Sequence, residues 1–567
     1  MPRHGETIGQ TPDWLPHERP MMPGSPSTPD FPLPFRVVHA LISVLIGVTG
    51  SLGTALISVN LPAIQGSLGL TPTQGAWLTT IYIMTNISMN LLLVKYRQQF
   101  GIRRFTLVFL SLYTVAAFAH LFLDNYPMAL ALRAISGVGA AALSALAMFY
   151  MLQAFPASFR MGALVLGVGV SQLGAPLARV ISTGLLDAAY WHGLYALEAC
   201  LAAACLAAVL LFRLPHGVRI HVFEKTDLLT FGLLGGGLGL VVAVLGLGRI
   251  VWWFEAPWLG WCLAAAVVMI AIASLVEHGR IHPLIDTRWV ATGAFLRFCL
   301  NIALVRLILS EQSVGAAGLM NALGLAAEQQ RLLYGVVLVA TIAGVVVSAA
   351  TLNQKTLAPQ FLGSILLIAL GAFLDARATV LTAPVNLYLS QALLAFAAAM
   401  FLGPAFMFGI GQLLTRGLGS IITFSVMFGV AQNLGGLFGA SLLGTLQTVR
   451  AQHHAVYLAE HLTGSDPAVA ATLQAYGGAY ASTQADPAFR AADGVALLTQ
   501  QLIQQANILA FNDVFRVIGV IAVAQFFYAA LLFVLLAVRM KRQVAAAAPT
   551  PSPTPSPTPS KPASEPA

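Results

Sequence analysis

The stretch AFLRFCLNIALVRLILSEQSVGAAGL, residues 294–319, is apolar over the length of a membrane helix, yet it contains Arg306 and Glu311. A hydrocarbon core about 30 Å thick is crossed by about 20 helical residues. Comparable runs recur from Phe35 to Val538 in a chain of 567 residues, of which 58% are hydrophobic and only 9% charged. Because soluble domains carry about 25% charged residues, we predict a polytopic membrane protein.

Apolar runs separated by polar segments predict an all-α integral membrane fold with fourteen transmembrane helices, arranged as six, two and six. The predicted spans are 36–59, 75–94, 105–123, 128–153, 162–186, 193–212, 229–248, 257–277, 294–319, 331–352, 359–375, 383–408, 418–446 and 508–538. Residues 448–507 form one long connection, which includes an amphipathic, helix-forming stretch. The Pro-rich tail and the N-terminal segment are predicted to be disordered.

The basic residues between the predicted spans set the orientation. With a cytoplasmic N-terminus, twelve basic residues fall in short inside loops and three in short outside loops. The inside residues are Lys95, Arg97, Arg103, Arg104, Arg160, Arg213, Arg219, Lys225, Arg280, Arg288, Lys355 and Arg416, and the outside residues are Arg249, Arg331 and Arg377. Because Lys and Arg accumulate in cytoplasmic loops, we expect both termini in the cytoplasm and residues 448–507 on the opposite side.

Several kinds of chemistry have no supporting motif in the sequence. None of the five lysines follows a glycine, so the GK[ST] loop that cradles nucleotide phosphates is missing, and neither HExxH nor GxSxG occurs. We therefore expect no enzyme activity, no cofactor and no bound metal, and we interpret the His453, His454, Glu460 and His461 cluster as a solvated helix face. The net charge of +8 comes from short loops and does not indicate nucleic-acid binding.

Five motifs resemble the major facilitator superfamily, and in particular its fourteen-helix drug:proton antiporters of the EmrB/QacA type. LISVNLPAIQGSLGLTPTQGAWLTTIYIM (56–84) is similar to the first two helices of the superfamily, FGIRRF (100–105) to the loop that follows and RAISGVGAA (133–141) to the fourth helix. LGGLFGASLLGTLQTVRAQHHAVYLAEHL (434–462) and QQANILAFNDVFRVIGV (504–520) resemble the C-terminal end of these exporters. The resemblance covers nearly the whole chain from residue 35 to 540.

This resemblance implies two six-helix halves around a central cavity, two extra central helices between them, and alternating access. The expected divisions are a disordered cytoplasmic segment (1–35), an N-terminal half (36–212), the two extra helices with their loops (213–292), a C-terminal half (293–540) and a disordered tail (541–567). It also implies a periplasmic adaptor of the HlyD type and an outer-membrane channel as partners, beside the small-molecule substrate, protons and the lipid bilayer.

The chain departs from the family pattern at several positions, which identifies it as a divergent member. Gly53 occupies the position of the family's first-helix aspartate. After the fifth helix the family's W-R-W-x-F-x-x-N motif is replaced by WHGLYALE, so Glu198 occupies the position of its asparagine. The fifth-helix Gly-Pro pattern is reduced to GVGVSQLGAPLARVIS (167–182), which contains Arg179. Since the usual acid is missing, its proton-coupling role must fall on another carboxylate.

Glu311 is the leading candidate for the proton-coupling carboxylate, with Glu198 and Arg133 as further candidates. Burial favours the neutral form of a carboxyl group, so an acid in a membrane helix can bind and release protons as access alternates. For Glu311, the alternative is a static salt bridge between helices. Glu198 is alternatively a carboxylate in a water-exposed vestibule, and Arg133 a helix-end arginine bonded to carbonyl groups. The matching arginine of related exporters helps proton release.

Arg306 and Arg179 are the candidates for substrate binding, because each would place a positive charge deep in a membrane helix. Five residues separate Arg306 from Glu311, a rotation of about 140°, so the two are poorly placed to pair with each other. Arg179 is alternatively a structural clamp, with Asp187 two turns further on as a loose partner. The two arginines favour anionic substrates over lipophilic cations.

These features predict a secondary transporter that exports small amphipathic compounds from a bacterial cell by proton antiport across the inner membrane. The alternative is a membrane receptor or sensor that keeps the fold but has lost transport, which the altered fifth-helix motif leaves open.

Overall fold

A computed structural model describes residues 14–15, 18–20, 24–417, 420–463, 465–479, 481–482 and 484–546, and the side chains of all of these except 187–190 and 539–546. Within these residues the chain forms helices and connecting segments, and no strand. Fourteen helices in this part of the chain are long and apolar enough to cross a membrane. The all-α fold with fourteen membrane helices is therefore confirmed.

The first six spans form one helical bundle. They are α1 (Leu33–Val59), α2 (Pro72–Phe100), α3 (Ile102–Phe122), α4 (Tyr126–Ala154), α5 (Ala157–Leu186) and α6 (Trp191–Leu211). The most buried of them is α4, which packs against α1, α2 and α3. The helical backbone continues from α5 to α6 through residues 187–190.

Local sequence accounts for the ends of these helices. At the start of α2, Thr71 accepts a hydrogen bond from the Gln74 amide, and Pro72 occupies the first turn, where its missing N–H costs nothing. At its end, Gly101 has a φ of 82°, a left-handed conformation that other residues rarely adopt. The chain can therefore turn sharply there into α3.

Two further spans, α7 (Lys225–Leu247) and α8 (Pro257–His278), follow the first bundle. The first of these packs between the bundles. Its backbone accepts hydrogen bonds from Ser88 of α2, at Gly235 O (2.8 Å), and from Ser441, at Leu245 O (2.8 Å). By contrast, α8 is largely exposed, and its exposed side chains are mostly apolar, as a lipid-facing helix requires.

The last six spans form a second bundle. They are α9 (Gly293–Ala322), α10 (Ala327–Thr351), α11 (Leu357–Asp375), α12 (Pro384–Arg416), α13 (Ile421–Glu460) and α14 (Pro487–Val538). The bundles meet along two seams, where α5 packs against α10 and α2 packs against α13. In the first seam the backbones approach closely, since a Cβ on Gly169 would lie 2.5 Å from Val345 Cγ1.

Because the number of spans is even, both ends of the membrane region lie on one side, which we call the termini side. On the other side, the loop side, residues 448–507 are mostly helical. There α13 continues to Glu460, a short helix covers Pro467–Gly478, and α14 begins at Pro487. The connection predicted between the last two spans is thus largely a helical projection that continues both spans.

The termini side is covered by a segment of the N-terminal region that we expected to be disordered. Gly24 and Ser27 donate backbone hydrogen bonds to Val218 O (3.1 Å) and His216 O (3.0 Å) of the loop that follows α6. Gln153, at the end of α4, donates to Ser27 O (2.9 Å). The boundary at residue 35 is therefore too late for this part of the chain, and residues 1–13 lie outside the described residues.

A buried charge network on the termini side fixes α7 and α8 to the first bundle. Lys95, at the end of α2, pairs with Asp227 at 2.8 Å, and Arg280 pairs with Asp227, Glu277 and Glu224 at 2.7, 2.6 and 2.8 Å. The hydrogen bond from Arg280 holds the pKa of Glu224 below its ordinary value. Desolvation opposes the charge on Arg280, but its three carboxylate partners raise its pKa above the ordinary value.

Candidate functional site

Polar side chains from both bundles, most of them buried, lie at similar distances from the loop-side ends of their helices. Arg133, Glu198, Tyr334 and Gln391 each follow the loop-side end of their helix by seven residues, and Arg179 precedes its loop-side end by seven. At 1.5 Å per residue this places them about 10 Å inside the helix ends. We call this set, together with Glu311 and Asp375, the polar layer.

In the first bundle, the carboxylate of the polar layer is Glu198. Its side chain is 2% exposed, and Tyr113 Oη donates a hydrogen bond to Glu198 Oε1 at 2.8 Å. The other oxygen, Glu198 Oε2, is buried with no hydrogen-bond partner among the described residues. The alternative that Glu198 lines a water-exposed vestibule is therefore wrong for this conformation, because Tyr113 and α1 cover it.

Glu198 occupies the space beside α1 that a side chain at position 53 would fill. A Cβ on Gly53 would lie 2.8 Å from Glu198 Oε1 and would overlap Tyr113 Oη. Both groups can approach α1 this closely only because residue 53 has no side chain. The family's first-helix acid and Glu198 thus exclude each other sterically, and α6 supplies a carboxylate at the place where α1 lacks one.

Arg133 lies on the other side of Gly53. It is fully buried, and it donates to Gly53 O of α1 at 2.8 Å and to Leu78 O of α2 at 3.2 Å. Its guanidinium stacks over the Tyr82 ring at 4.4 Å, while Arg133 Nη2 has no partner among the described residues. The carbonyl-bonded arrangement is therefore present, but it joins three helices inside the bundle, with no side chain snorkelling to the surface.

In the second bundle, Glu311 of α9 and Asp375 of α11 form a buried carboxyl pair. Gln391 Nε2 of α12 donates to Glu311 Oε1 at 3.0 Å and to Asp375 Oδ2 at 2.7 Å, while Glu311 Oε2 and Asp375 Oδ1 are buried with no hydrogen-bond partner among the described residues. They are 0% and 1% exposed. No described lysine or arginine forms an ion pair with either. The alternative of a static salt bridge between helices, which would join Glu311 to Arg179 or Arg306 to Glu198, is absent among the described residues.

The local backbone of α9 directs Glu311 into this pair. The helix is interrupted by a π-helical turn, Glu311–Ala316, which begins directly after Ser310. Ser310 Oγ donates to Gly436 O of α13 at 2.9 Å, and this holds the turn against the neighbouring helix. Because a π turn adds a residue to the helical turn, it changes which side chains face the bundle interior, and such turns are frequent at functional sites.

Arg306 points away from Glu311, as their spacing predicts. Its Nε donates to Gln432 O of α13 at 3.4 Å, and its guanidinium lies against the Gly436 backbone. No carboxylate pairs with it among the described residues. Arg306 is thus a cation between α9 and α13 without an ion-pair partner among the described residues.

Arg179 reaches from the first bundle to the second. Its guanidinium lies over the Tyr334 ring of α10 at 4.5 Å, and Tyr334 lies close enough to both Arg179 and Glu311 for their charges to act on it. A cation over an aromatic face is attracted by the ring quadrupole. Asp187, which we considered as a partner, lies outside the described side chains.

Comparison of the chain with models of known protein families supports the resemblance found in the sequence. Residues 44–482 match the model of the Major Facilitator Superfamily. The chain belongs to this superfamily. Its relatives and its fold point to a transporter and away from an enzyme.

Individual relatives in the superfamily are distant. The MFS-type transporter YhcA of Bacillus subtilis is 24% identical over 430 residues, covering 73% of this chain and 77% of that protein. The multidrug export protein EmrB of Escherichia coli is 23% identical over 45% of this chain and 50% of its own length. The fatty acid resistance protein FarB of Neisseria gonorrhoeae is 24% identical over 41% and 46%. The chain thus spans half or less of the length of the last two.

Solved superfamily structures share the fold. The human organic anion transporter MFSD10 aligns with a TM-score of 0.52 and 13% identity, covering 87% of this chain and all of that one. The proton:xylose symporter XylE aligns with a TM-score of 0.50 and 15% identity over 84% and 94%. At these identities the comparison supports the superfamily fold alone.

Sequence reasoning found Glu311, Glu198 and the three arginines of this superfamily member, but it missed their partners. Asp375, Gln391 and Tyr113 are polar groups inside predicted spans, and Asp375 is the single acid in the span 359–375. That acid was a usable signal. The pairing itself was not readable, because it depends on the relative rotation of helices that are far apart in sequence.

Proposed function

We propose that this chain is a secondary exporter of small amphipathic organic compounds, driven by proton entry through alternating access. It would lie in the inner membrane of a bacterium with both termini in the cytoplasm, as the twelve-to-three distribution of basic residues supports. The termini side would then be cytoplasmic and the loop side periplasmic.

The observation that carries this proposal is the Glu311–Asp375 pair. Gln391 donates to one oxygen of each carboxyl group, and the second oxygens are buried with no partner among the described residues, so a proton on one of the two acids would supply the missing donor. Like charges in a buried site also repel strongly, which favours the singly protonated pair. The pair therefore has the chemistry of a proton carrier, and an exposed state on the periplasmic side could load it.

Gln391 would keep the pair assembled in both protonation states. Its amide donates to one oxygen of each carboxyl group, at 3.0 and 2.7 Å, so it stays bonded whichever acid holds the proton. Glu198 would serve as a second proton site in the first bundle. Arg133, which is bonded to the carbonyl of Gly53, would promote release of the proton from Glu198. Each bundle would thus contain one acid centre at the polar layer.

The substrate would meet Arg179 and Arg306. Arg179 lies over the Tyr334 ring of α10 at 4.5 Å, so an anionic group bound at Arg179 would lie at the contact between the two bundles. Arg306 offers a second cation on α9. The distant relatives EmrB, a multidrug export protein, and FarB, a fatty acid resistance protein, agree with an amphipathic substrate, and the arginines favour an anionic one.

The loop-side projection would dock a periplasmic adaptor of the HlyD type, which passes substrate to an outer-membrane channel. Its two long helices continue α13 to Glu460 and begin α14 at Pro487, so each extends well beyond the length needed to cross a bilayer. Rigid helices that leave the membrane give such a partner a defined surface.

Proton coupling is tested with Glu311→Gln and Asp375→Asn in inside-out membrane vesicles with an imposed proton gradient. Wild-type protein should release protons from the vesicle when an anionic amphipathic dye is added outside, read as recovery of a pH-sensitive fluorophore. Each variant should insert normally and bind the dye, but lose this response. The exposed Glu328→Gln on α10 is the matched control and should behave as wild type.

Full proton-driven transport by Glu311→Gln, with normal pH dependence, would remove Glu311 from the mechanism. Dye binding without flux in the wild-type protein would instead support a receptor or sensor that has lost transport.

A further inference from the structure

A cavity of about 160 Å³ lies inside the second bundle, away from the polar layer. It runs between α9, α11, α12 and α14 on the termini side. Its deep end is formed by Ile302, Phe361, Ala405 and Ala529, all of which are buried. Its mouth opens between the start of α9 and the end of α14. We call it the α9–α14 slot.

The slot is lined mainly by apolar side chains, with Asn301 and Gln412 as polar residues in its wall. Besides the deep residues, its walls include Phe298, Phe408 and Phe533, whose rings contact one another at centroid distances of 5.9 and 6.1 Å. An apolar cavity of about 150 Å³ stays dry and holds a six-carbon ring, so the slot has room for a hydrocarbon segment of about that size. Water is disfavoured in the slot because too few polar groups are available to form hydrogen bonds with it.

The mouth of the slot faces the lipid. Leu535 and Leu536 of α14 line it and are 48% and 40% exposed, and the neighbouring Leu296 and Leu300 of α9 are also exposed. Exposed leucines on membrane helices are typical of contact with lipid tails. A molecule dissolved in the leaflet on the termini side can therefore reach the slot without crossing water.

One formal charge lies at this mouth, on Arg297. It is exposed, and its side chain donates from Nε to Gly293 O of its own helix at 2.7 Å, while its carbonyl accepts from Asn301 Nδ2 at 2.6 Å. None of the described carboxylates forms an ion pair with it. Four residues from the start of α9, it lies at the depth where lipid headgroups begin, about 7.5 Å above the deep residue Ile302.

We propose that the α9–α14 slot binds a single-chain anionic amphiphile of the fatty acid class, taken from the leaflet on the termini side. Arg297 would bind its carboxylate in a charge-assisted hydrogen bond, and the apolar slot would hold a segment of its chain. One chain fits the slot, whereas a phospholipid would leave its second chain outside. The further role of the slot as an entry site for export rests on the proposed function, but binding does not.

Binding is tested with the purified full-length protein in nanodiscs of zwitterionic lipid and a palmitate that carries a photoreactive diazirine on its chain. The label should map to peptides of α12 and α14 that contain Ala405 or Ala529. Unlabelled palmitate should compete, and hexadecanol, which has the same chain without the charge, should compete about tenfold more weakly, as loss of a charge-assisted hydrogen bond predicts.

Two variants separate the charge from the cavity. Arg297→Gln should reduce palmitate competition about tenfold and abolish the advantage over hexadecanol. Ala294→Trp, at the exposed mouth, should block labelling by both ligands without disturbing the buried core. Arg288→Gln, an exposed arginine on the same side that does not line the slot, is the matched control.

Labelling spread over all lipid-facing helices, equal competition by hexadecanol, or displacement by anionic phospholipid alone would overturn this site. Palmitate binding that survives while proton-driven flux is absent would leave the site standing and contradict the proposed function, so the two failures are distinguishable.

Discussion

At the scale of single residues, the carboxylate of Glu198 on α6 lies beside the position on α1 where the family has an aspartate. Gly53 has no side chain, and Glu198 of α6 lies where a side chain on α1 would extend. Tyr113 fixes the carboxylate there with a 2.8 Å hydrogen bond. Because chemistry depends on where the carboxyl group lies and not on which helix supplies it, the missing aspartate does not imply a missing function.

We predict that an aspartate on α1 restores part of the proton-coupled flux that is lost when Glu198 of α6 is replaced. Gly53→Asp alone should lower the thermal midpoint of the purified protein, because the new side chain overlaps Tyr113 and approaches Glu198. Glu198→Asn alone should fold but lose proton-coupled flux. The double variant Gly53→Asp/Glu198→Asn should recover stability and a measurable fraction of flux in inside-out vesicles.

Additive losses in the double variant would show that positions 53 and 198 act independently, and the steric exchange would then be without functional meaning. Gly232→Asp does not fill occupied space, since no atom lies within 4 Å of a Cβ there, and it serves as the control for adding an acid to a membrane glycine.

At the scale of helices, α7 and α8 are attached to the first bundle by charge as well as by packing. Lys95 is 1% exposed at its side chain and Asp227 is 0%, and Lys95 Nζ also donates to His282 O at 3.0 Å. Desolvating both charges is costly, so such a pair persists only with good geometry and further hydrogen bonds, which the network provides. The extra helices are thus joined to the termini-side end of α2.

We predict that Lys95→Met is strongly destabilising, by about 3–5 kcal/mol, since it leaves Asp227 buried with one cation fewer. The double variant Lys95→Met/Asp227→Asn should be less destabilised than Lys95→Met, because Arg280 then has two carboxylates to balance instead of three and the amide oxygen can still accept from the Glu224 amide. The thermal midpoint and protease resistance of the α7–α8 connection measure the difference. The exposed Lys355→Met is the control.

Equal stability of Lys95→Met and wild type would show that packing alone holds α7 and α8. A double variant less stable than Lys95→Met would assign Asp227 an additional partner beyond Lys95 and Arg280.

At the scale of the whole molecule, the two sides of the membrane region differ in shape and charge. The termini side carries most of the basic residues and is covered by the segment that begins at Gly24, while the loop side extends into the helical projection between α13 and α14. This asymmetry defines one direction across the membrane. The orientation proposed from the basic residues therefore has a direct test.

We predict that Ala471→Cys, exposed on the projection, reacts with a membrane-impermeant thiol reagent in intact cells whose outer membrane is permeabilised. Lys355→Cys, exposed between α10 and α11, should react only after the inner membrane is lysed. Both cysteines are placed in a background that lacks the four native ones, and labelling is read on gels. The reverse pattern would invert the topology and the direction of transport.

The sequence by itself determined the number, type and approximate limits of the membrane helices, because a bilayer demands apolar runs of a set length. The third span, predicted at 105–123 and found at Ile102–Phe122, shows the usual error of a few residues. The sequence also singled out Glu311 and Arg306 and predicted that they do not pair. What it could not determine was how far helix structure continues beyond the bilayer at α13 and α14, where no lipid constrains composition.

Only the tertiary structure decided the partners of the intramembrane charges. Glu311 meets Asp375 and Gln391 because a π turn reorients α9 and because α11 and α12 pack beside it, with 80 residues between Glu311 and Gln391. Glu198 meets Gly53 because α1 and α6 lie side by side. Hydrophobicity fixes which segments enter the membrane, but a polar contact depends on the rotation of each helix about its axis. That rotation is set by the packing of the whole bundle.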